Sequence, residues 1–430
     1  MFDYLILICV LILVTLGVLF IYSSSINSEG VSVTNEYIKQ IIWAGVGLLL
    51  MIVISLYDYK HYERISFWAY AFMILVLIYT RIFGRVVNGA RSWIGIGDFG
   101  IQPSEFSKVF FILALAKYLD ENKNENPLKK FIFATVIMCI PMGLILIQPD
   151  MGTASVYIPI FLVMCFMAGI PLRFLMFVLL FGLGTIFFAI LPVWNEYIAV
   201  TSHPAISILT TSKLRFLLIG ATNSITLISV VVRRYLHGKK YFYWIAYFFL
   251  IISLALFCST FLSKFLKGYQ IMRLIIFLNP DVDPLGSGWN IIQSKIAIGS
   301  GSYFGRGYLG GTQSHYRFLP QQSTDFIFSI LSEEFGFFGG LLVFSLYFVI
   351  LIRILLIMRK VNNLYGTYIT AGILAMFSFH FFINVGMVMG IMPITGIPLL
   401  FMSYGGSSLL TAMSCMGILM NINAHKKDLH

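Results

Sequence analysis

Charged side chains are scarce in this sequence. Of its 430 residues, only 11% are Asp, Glu, Lys or Arg, whereas 59% are hydrophobic. A soluble domain carries roughly 25% charged residues, so this chain has too little polar surface to fold as a soluble globule. Apolar runs instead recur along its whole length, each near the roughly 20 residues that cross about 30 Å of hydrocarbon. The composition predicts an all-α polytopic membrane protein.

The sequence also lacks any cluster of cysteines with metal-binding or disulfide spacing. The five cysteines all lie inside apolar runs: Cys9, Cys139, Cys165, Cys258 and Cys415. We expect small buried side chains, without a zinc site or a disulfide framework. A cleaved signal peptide is disfavoured as well, because the first apolar run, 4–22, has no basic segment before it and no A-x-A site after it. We expect a retained first span.

The net charge of +11 is explained better by membrane topology than by nucleic-acid binding, because the basic residues lie in short loops. Twelve spans are predicted, at 4–22, 38–57, 65–80, 104–119, 131–148, 152–169, 172–192, 214–232, 243–264, 336–357, 366–389 and 397–421. With the N-terminus inside, the segments richest in Lys and Arg become cytoplasmic, namely 58–64, 120–130, 170–171, 233–242, 358–365 and 422–430.

Two predicted outer segments, 81–103 and 265–335, carry basic residues against this rule. An anionic ligand is one explanation, and the indifference of long loops to their charge is the other. The segment 265–335 is rich in Gly and contains Asn-Pro and Asp-Pro pairs. Such residues favour turns, so we expect short helices and interfacial loops rather than a separate domain.

The block at 88–109 carries the first group of candidate site residues. Gln102-Pro103-Ser104-Glu105 is typical of a helix start, because Pro is tolerated in the first turn and Glu favours the positive end of the helix dipole. Glu105 and Lys108 lie on one helical face and can pair, either as functional groups or as a structural ion pair. Trp93 is either an interfacial anchor or a packing platform for a substrate, and Arg91 lies beside it.

Acidic residues at two further segment ends are also candidates. Asp150 follows Gln-Pro and either caps the next helix or contributes to a cation site or loop anchor. Asp325 immediately precedes an apolar helix, where it or Thr324 caps the helix, or where its carboxylate acts as a general base. The neighbouring pair Glu333 and Glu334 is too acidic for lipid contact and is expected to face the bundle interior.

The segment 392–410 is typical of a broken membrane helix. Pro393, Gly396 and Pro398 release backbone groups that must be satisfied within protein or a wet cavity, and Asn384 precedes them. Close packing through small residues is the alternative reading of the run SYGGSS, 403–408. Polar groups from four separated segments thus gather at the predicted outer face. The pattern fits a lipid-substrate enzyme, a transporter or a channel, and composition does not choose among them.

Five blocks resemble one family in order and spacing over nearly the whole chain: NGARSWIGIGDFGIQPSEFSK, QPDMGT, DPLGSGWNIIQSKIAIGSG, GTQSHYRFLPQQSTDFIF and NVGMVMGIMPITGIPLLFMSYGGSS. Together they are similar to the SEDS family (shape, elongation, division and sporulation), and most to its RodA branch. The resemblance implies a peptidoglycan glycosyltransferase of the bacterial cytoplasmic membrane that polymerises lipid II during cell-wall elongation, with its active site outside. Its implied partners are a class B penicillin-binding protein and other elongation-complex membrane proteins.

The resemblance also assigns residues. The family's essential aspartate falls on Asp325, which would accept the proton of the acceptor sugar hydroxyl while undecaprenyl pyrophosphate leaves. The family's polar-cavity residues fall on Trp93, Glu105 and Lys108, and Arg91 and Gln102 flank them. We predict a substrate-binding set that contains these five residues together with Asp150, Arg273, Lys295 and Thr324. Within it, Arg91, Lys108, Arg273 and Lys295 are the candidates for stabilising the leaving diphosphate. No cofactor is firmly implied, and a divalent cation, Mg²⁺ or Mn²⁺, is the candidate additional stabiliser.

The sequence departs from the family pattern in two places. Gln321, Gln322 and Ser323 stand where the family has Glu, a variable residue and His, which puts regulation of the loop in doubt more than the chemistry. The family's ten spans are also exceeded by two, so we expect a single membrane domain, 1–430, with an inserted pair within 193–242 and the active site on the loop 265–335. The rival functions are a lipid II flippase, a non-catalytic activator of a transpeptidase, and a polymerase or ligase of another lipid-linked sugar.

Overall fold

The computed structural model describes residues 3–87, 89–96, 99–197, 208–209, 211–235, 239–265, 268–286 and 288–425. Helices dominate these ranges: α1 Tyr4–Ser25, α2 Glu36–Leu56, α3 Tyr59–Phe83, α4 Pro103–Glu121, α5 Pro127–Ile147, α6 Met151–Met167, α7 Leu172–Tyr197, α8 Ser212–Tyr235, α9 Lys240–Phe265, α10 Gly268–Leu278, α11 Trp289–Ser300, α12 Thr312–His315, α13 Ile327–Met358, α14 Leu364–Val388 and α15 Gly406–Ala424. A short 3-10 helix, Pro280–Val282, follows α10.

Ten helices among the described residues are long and apolar enough to cross a membrane. The predicted spans 104–119 and 152–169 coincide with α4 and α6. Helix α6 has only 17 residues, and α4 carries five charged side chains, so neither meets the same measure of length and hydropathy. The predicted helical membrane fold is confirmed, with one short three-stranded sheet in addition, and the count of twelve spans stays a prediction.

Two compact units make up the chain. The first contains residues 1–170 and 293–430, and within it α2 packs on α15, α14 on α6 and α4, α3 on α4, and α1 on α13. The second contains residues 171–292, where α9 packs between α7 and α8 and α10 packs on α7. The single domain and the inserted pair stay predictions. Residues 198–207, 210 and 236–238 of that predicted insertion lie outside the described residues.

A three-stranded antiparallel sheet leads into α4. Its strands are β1 Arg85–Val87, β2 Ala90–Ile96 and β3 Phe99–Ile101, in the order β1-β2-β3. The chain passes from β3 directly into α4, with Gln102 at the N-cap and Pro103 in the first turn. Proline fits there because the first-turn N–H groups have no intrahelical partner. The predicted helix start is confirmed.

Two predicted spans differ from the observed helices. The span predicted at 397–421 is wrong at its start, because the helix begins at Gly406 and the residues before it are irregular. The prolines and glycines of this segment prevent a continuous helix. The span predicted from residue 336 is too short, because α13 begins at Ile327 and continues through a kink at Gly336, whose φ is +63°. The expected short helices of 265–335 are α10, α11 and α12.

Candidate functional site

The irregular segment 391–405, which we call the broken segment, belongs to the first unit and is mostly buried from residue 397 to residue 403. Two neighbouring helices pack so closely against its backbone that only glycine fits at the points of contact. An added Cβ at Gly17 of α1 would lie 2.7 Å from the Met402 carbonyl oxygen, and one at Gly152 of α6 would lie 2.5 Å from that of Thr395. The buried Gln40 side chain of α2 also donates to the Ser403 carbonyl oxygen at 3.2 Å. Residues distant in sequence therefore hold this segment on several sides.

Asp325 lies in the turn that precedes α13, against the broken segment. Its backbone N–H donates to the Gln321 carbonyl oxygen at 3.2 Å, and the Tyr404 N–H donates to the Ser323 carbonyl oxygen at 2.8 Å. An added Cβ at Gly396 would lie 3.6 Å from Asp325 Oδ2, so the carboxylate rests beside that glycine.

Neither Asp325 nor Thr324 is the N-cap residue of α13, which is Phe326. The Thr324 hydroxyl instead hydrogen-bonds the carbonyl oxygen and the side chain of Gln321, both at 3.3 Å. Asp325 is half-buried, so its carboxylate lies at the edge of the unit rather than in its core. The role of Asp325 as a general base stays a prediction.

Two buried side chains of α14 bind the broken segment beside Asp325. Asn384 Nδ2 donates to the carbonyl oxygens of Asp325, at 3.0 Å, and Ile397, at 2.8 Å. One turn earlier, His380 Nδ1 lies 3.0 Å from the Pro398 carbonyl oxygen. Because a carbonyl oxygen only accepts, Nδ1 carries the proton of a neutral imidazole and Nε2 is an acceptor.

That acceptor faces the predicted pair on α4. Lys108 Nζ lies 3.3 Å from His380 Nε2 and 2.8 Å from Glu105 Oε2. All three side chains are buried, and Lys108 is 0% exposed. The predicted pairing of Glu105 with Lys108 is present, in the arrangement expected of a structural ion pair. The ammonium group is enclosed by protein, and its role with a diphosphate stays a prediction.

Gln102 and Asp150 form a second contact between separated segments. Gln102 Nε2 donates to Asp150 Oδ2 at 2.8 Å, and the Gln102 backbone N–H donates to the Ser407 hydroxyl at 2.8 Å. Asp150 also caps α6, because its Oδ1 accepts from the Thr153 N–H at 3.1 Å. Both predicted readings of Asp150, the helix cap and the loop anchor, are therefore present together.

The remaining predicted basic residues are Arg91, Lys295 and Arg273. Arg91 is exposed on β2 and donates to the Ile82 carbonyl oxygen at 3.2 Å, while Trp93, on the same strand, packs its ring against Gly100. Lys295 is exposed on α11, next to Ser294, which bonds the hydroxyl of Ser329 and the carbonyl oxygen of Val388. Arg273 is half-buried on α10 and belongs to the second unit.

Glu333 and Glu334 face the interior, as predicted, and bind the loop before Asp325. Glu333 Oε1 accepts from the Thr312 N–H at 2.7 Å, the Thr312 hydroxyl at 3.0 Å and the Gln313 N–H at 3.0 Å. Glu334 accepts from Ser23 of α1 and from the Leu309 N–H. Burial, with the Glu334 carboxylate as a second cause, raises the pKa of the nearby Tyr308. Tyr308 therefore stays protonated and donates to the Leu19 carbonyl oxygen.

The sequence interpretation passed over His380 and Gln40. Both could have been found from the sequence, because a polar or ionisable residue inside an apolar span usually faces the bundle interior. His380 lies in FSFHFFI and Gln40 in EYIKQIIW. Their partners are distant in the chain: Lys108 is 272 residues from His380, and Ser403 is 363 residues from Gln40. The signal marks the residue and does not identify the partner.

Comparison with known proteins identifies the family of this chain. The family model described as Cell cycle protein, which covers FtsW, RodA and SpoVE, matches residues 3–205 and 219–428. The chain belongs to this family. The predicted resemblance to the SEDS proteins is thereby confirmed, and the chain is a multi-pass membrane protein of the FtsW/RodA/SpoVE family.

Similar proteins cover nearly its full length. The peptidoglycan glycosyltransferase RodA of Treponema pallidum (strain Nichols) is 56% identical over 99% of this chain and 98% of its own. The peptidoglycan glycosyltransferase MrdB of Escherichia coli (strain K12) is 31% identical over 98% of this chain and 94% of its own. A solved structure, described as structural coordination of polymerization and crosslinking by a peptidoglycan synthase complex, aligns over 100% of this chain and 99% of its own. Its TM-score is 0.70 at 24% identity, and it supports the fold.

Proposed function

We propose that this chain is a peptidoglycan glycosyltransferase that polymerises lipid II into glycan strands, with Asp325 as the general base. The observation that carries the proposal is the setting of Asp325 within a member of the FtsW/RodA/SpoVE family. Asp325 is half-buried, it directly precedes the N-cap residue of α13, and its carboxylate lies beside Gly396 of the broken segment. A positioned carboxylate at the edge of a membrane protein can reach the sugar of a lipid-borne substrate.

The chemistry assigns one proton transfer to Asp325. The C4 hydroxyl of the acceptor sugar gives its proton to the carboxylate as the oxygen forms a bond to the anomeric C1 of the donor. The bond from C1 to the diphosphate oxygen breaks, and undecaprenyl pyrophosphate leaves with the electron pair. A single base on one face of the sugar gives inversion at C1. Removing the proton in the transition state is worth on the order of 10²–10⁴-fold in rate.

The leaving diphosphate gains charge and needs cations. Arg91 and Lys295 are exposed and are therefore available to an anionic headgroup, whereas Lys108 is already paired with Glu105. We assign Arg91 and Lys295 to the diphosphate and a structural part to Lys108. Arg273, in the second unit, stays a further candidate.

A divalent cation remains an expectation, and no step here depends on one. Among the described residues, no group of three or more His, Cys, Asp or Glu side chains is arranged to hold a metal ion. The donor set of this described part of the chain therefore does not fit a resident metal centre. Any Mg²⁺ or Mn²⁺ would arrive with the substrate diphosphate and would be detected as a metal requirement of the assay.

The partner and the orientation follow from the same proposal. We propose that a class B penicillin-binding protein cross-links the strands that this chain polymerises, together with other elongation-complex membrane proteins. The site would face the outside of the bacterial cytoplasmic membrane, where the glycan strands are needed. The basic inner loops support that orientation, because they keep the connections between spans in the cytoplasm.

The test is polymerisation of lipid II by the purified protein and its partner in detergent, where no membrane has to be crossed. We expect glycan strands from the wild type and a loss of about 10²- to 10⁴-fold in Asp325→Asn, which keeps the shape of the side chain and removes the base. Asp281→Asn is the matched control, because Asp281 is an exposed acid in the turn after α10. Its rate should equal that of the wild type.

Two outcomes would contradict the proposal. No polymer under any metal or partner condition would favour a flippase or an activator of the transpeptidase. Full activity of Asp325→Asn would support the polymerase activity and show that Asp325 is not its general base.

A further inference from the structure

Two polar side chains on one face of α14 bind consecutive carbonyl groups of the broken segment. Asn384 donates to the Ile397 carbonyl oxygen at 2.8 Å, and His380 binds that of Pro398 at 3.0 Å. The two residues are four apart and therefore lie one above the other on the helix. Both are buried, Asn384 at 0% and His380 at 1% exposure. The broken segment is thus fixed to α14 immediately after Gly396.

Asn384 joins this segment to the turn that carries Asp325. Its amide nitrogen has two hydrogens, and both are used, one on Ile397 and the other on the carbonyl oxygen of Asp325 itself, at 3.0 Å. A single amide group therefore sets the separation between the backbone of Asp325 and the backbone next to Gly396. Within a buried environment such bonds are strong, because water is not there to replace them.

The hydrogen bonds to Ile397 and Pro398 hold the neighbouring Gly396 beside the Asp325 carboxylate. Gly396 has φ of +72°, a conformation that residues with a Cβ rarely adopt. An added Cβ there would lie 3.6 Å from Asp325 Oδ2, so Gly396 forms the wall against which the carboxylate rests. A shift of residues 396–398 would move that wall and the carboxylate with it.

His380 extends the same arrangement to α4. Its Nε2 accepts from the Lys108 ammonium group at 3.3 Å, and Lys108 pairs with Glu105 at 2.8 Å. Asn384, His380, Lys108 and Glu105 thus form one buried network that ends at the backbone around Asp325. Because the Lys108 ammonium group can only donate, the Nε2 that faces it accepts, and the Nδ1 proton is donated to the Pro398 carbonyl oxygen.

We propose that Asn384 and His380 are positioning residues that act through the broken segment and hold the Asp325 carboxylate in its working orientation. This inference rests on the proposed role of Asp325. Kinetics can distinguish a positioning role from a packing role. A displaced base lowers kcat, because it slows the chemical step, and leaves KM nearly unchanged, because substrate binding is intact.

The chain offers a matched control in Asn421 of α15. Asn421 is also fully buried, and its Nδ2 donates to two backbone carbonyl oxygens, those of Ser55 at 2.9 Å and Tyr57 at 3.0 Å. It therefore makes the same kind of contact as Asn384. The two carbonyl groups that it holds join α2 to α3, on the predicted cytoplasmic side. Asn421→Leu removes the same two amide donations as Asn384→Leu, together with the acceptor of the Tyr59 N–H at 2.9 Å, and it does not touch Asp325.

The experiment compares these variants in the lipid II polymerisation assay, with the protein–partner complex and with rates expressed per folded protein. We expect Asn384→Leu to lower kcat by about 10- to 100-fold with KM changed less than about threefold, since misplacing a reacting group by about 1 Å can cost about 10²-fold. Asn421→Leu should leave both constants within about twofold of wild type. His380→Phe should lower kcat, and His380→Gln should restore part of it, because the amide can again donate to Pro398 and accept from Lys108.

The outcomes separate this inference from the proposed function. Equal effects of Asn384→Leu and Asn421→Leu, or a rise in KM at unchanged kcat, would overturn the positioning role. If Asn384→Leu does not fold, the two His380 variants decide, and equal rates for Phe and Gln at that position would overturn it. Full activity of Asp325→Asn would instead overturn the role of Asp325 on which the inference rests.

Discussion

At the scale of single residues, the close approach of backbones around the broken segment decides which side chains are tolerated. Gly152 shows this most directly. It lies in the first turn of α6, where Asp150 caps the helix, and its Cα faces the Thr395 carbonyl group. Small residues let a helix and an irregular backbone meet without a gap, and within a membrane such contacts replace hydrophobic burial as the cohesive interaction. The glycine is therefore required by contact rather than by its own backbone angles.

Gly152→Ala is expected to lower the free energy of unfolding by about 1–3 kcal/mol, the usual cost of forcing an extra carbon into a filled space. The added Cβ would lie 2.5 Å from the Thr395 carbonyl oxygen. Gly143→Ala is the control, because Gly143 lies inside α5 and an added Cβ there meets nothing within 4 Å. Thermal unfolding in detergent should give a lower Tm for Gly152→Ala and an unchanged or higher Tm for Gly143→Ala. Equal Tm values for the two variants would contradict the contact.

Local patterns at this scale were predicted well from the sequence. The start of α4 at Pro103, the Asp150 cap and the pairing of Glu105 with Lys108 each depend on residues within four positions of one another. The hydrogen-bond partners of Asn384 and His380 could not be predicted, because they depend on how the broken segment folds back between helices. Patterns of short range specify a helix end, and only the tertiary structure specifies which carbonyl group a buried amide meets.

At the scale of elements, α13 is a kinked helix whose first turns bind a loop. The loop 301–311 lies against the kink at Gly336, with the Phe337 N–H donating to the Ser302 carbonyl oxygen at 2.9 Å and the Arg306 N–H donating to that of Glu333 at 3.0 Å. The interrupted helix supplies unpaired backbone groups, and the loop satisfies them. Hydropathy could not show this arrangement, because Glu333 and Glu334 lowered the apolar score of the first turns and moved the predicted span to residue 336.

Glu333→Leu should release this loop. One carboxylate oxygen accepts from the Thr312 N–H, the Thr312 hydroxyl and the Gln313 N–H, and leucine leaves these three donors without it. Each unsatisfied buried group costs about 1–3 kcal/mol, so the open state of the loop should become more populated by at least about tenfold. Trypsin cleavage after Arg306, followed by mass spectrometry of the fragments, should accelerate accordingly.

Glu125→Leu is the control for that experiment, because Glu125 is a surface acid that pairs with the nearby Lys129 at 3.1 Å. Its cleavage after Arg306 should match that of the wild type. An unchanged rate in Glu333→Leu would mean that the carboxylate does not hold the loop. Glu333→Gln should fall between the two, because the amide oxygen still accepts.

At the scale of the whole molecule, charge sets the orientation in the membrane. Loops between α4 and α5 and between α13 and α14 carry basic residues, which favours the cytoplasmic side for both. The loop between α1 and α2 and the segment that precedes Asp325 then lie outside. The fold class followed from composition, because too few polar side chains exist for a soluble surface. The division into two compact units did not, since no change in composition marks residues 171 and 293.

The orientation predicts which exposed positions a membrane-impermeant thiol reagent can reach in intact cells. In a background without the five native cysteines, Ser28→Cys and Tyr316→Cys should be labelled from outside, and Asn124→Cys and Asn362→Cys only after permeabilisation. All four positions are exposed, so accessibility within the protein does not limit the reaction. Three predicted spans separate Ser28 from Asn124 and one separates Tyr316 from Asn362, so a single error in the span count between residues 124 and 316 would reverse the second pair and leave the first unchanged. Labelling of Tyr316→Cys only after permeabilisation would place Asp325 on the cytoplasmic side and contradict polymerisation outside, whatever the detergent assay gives.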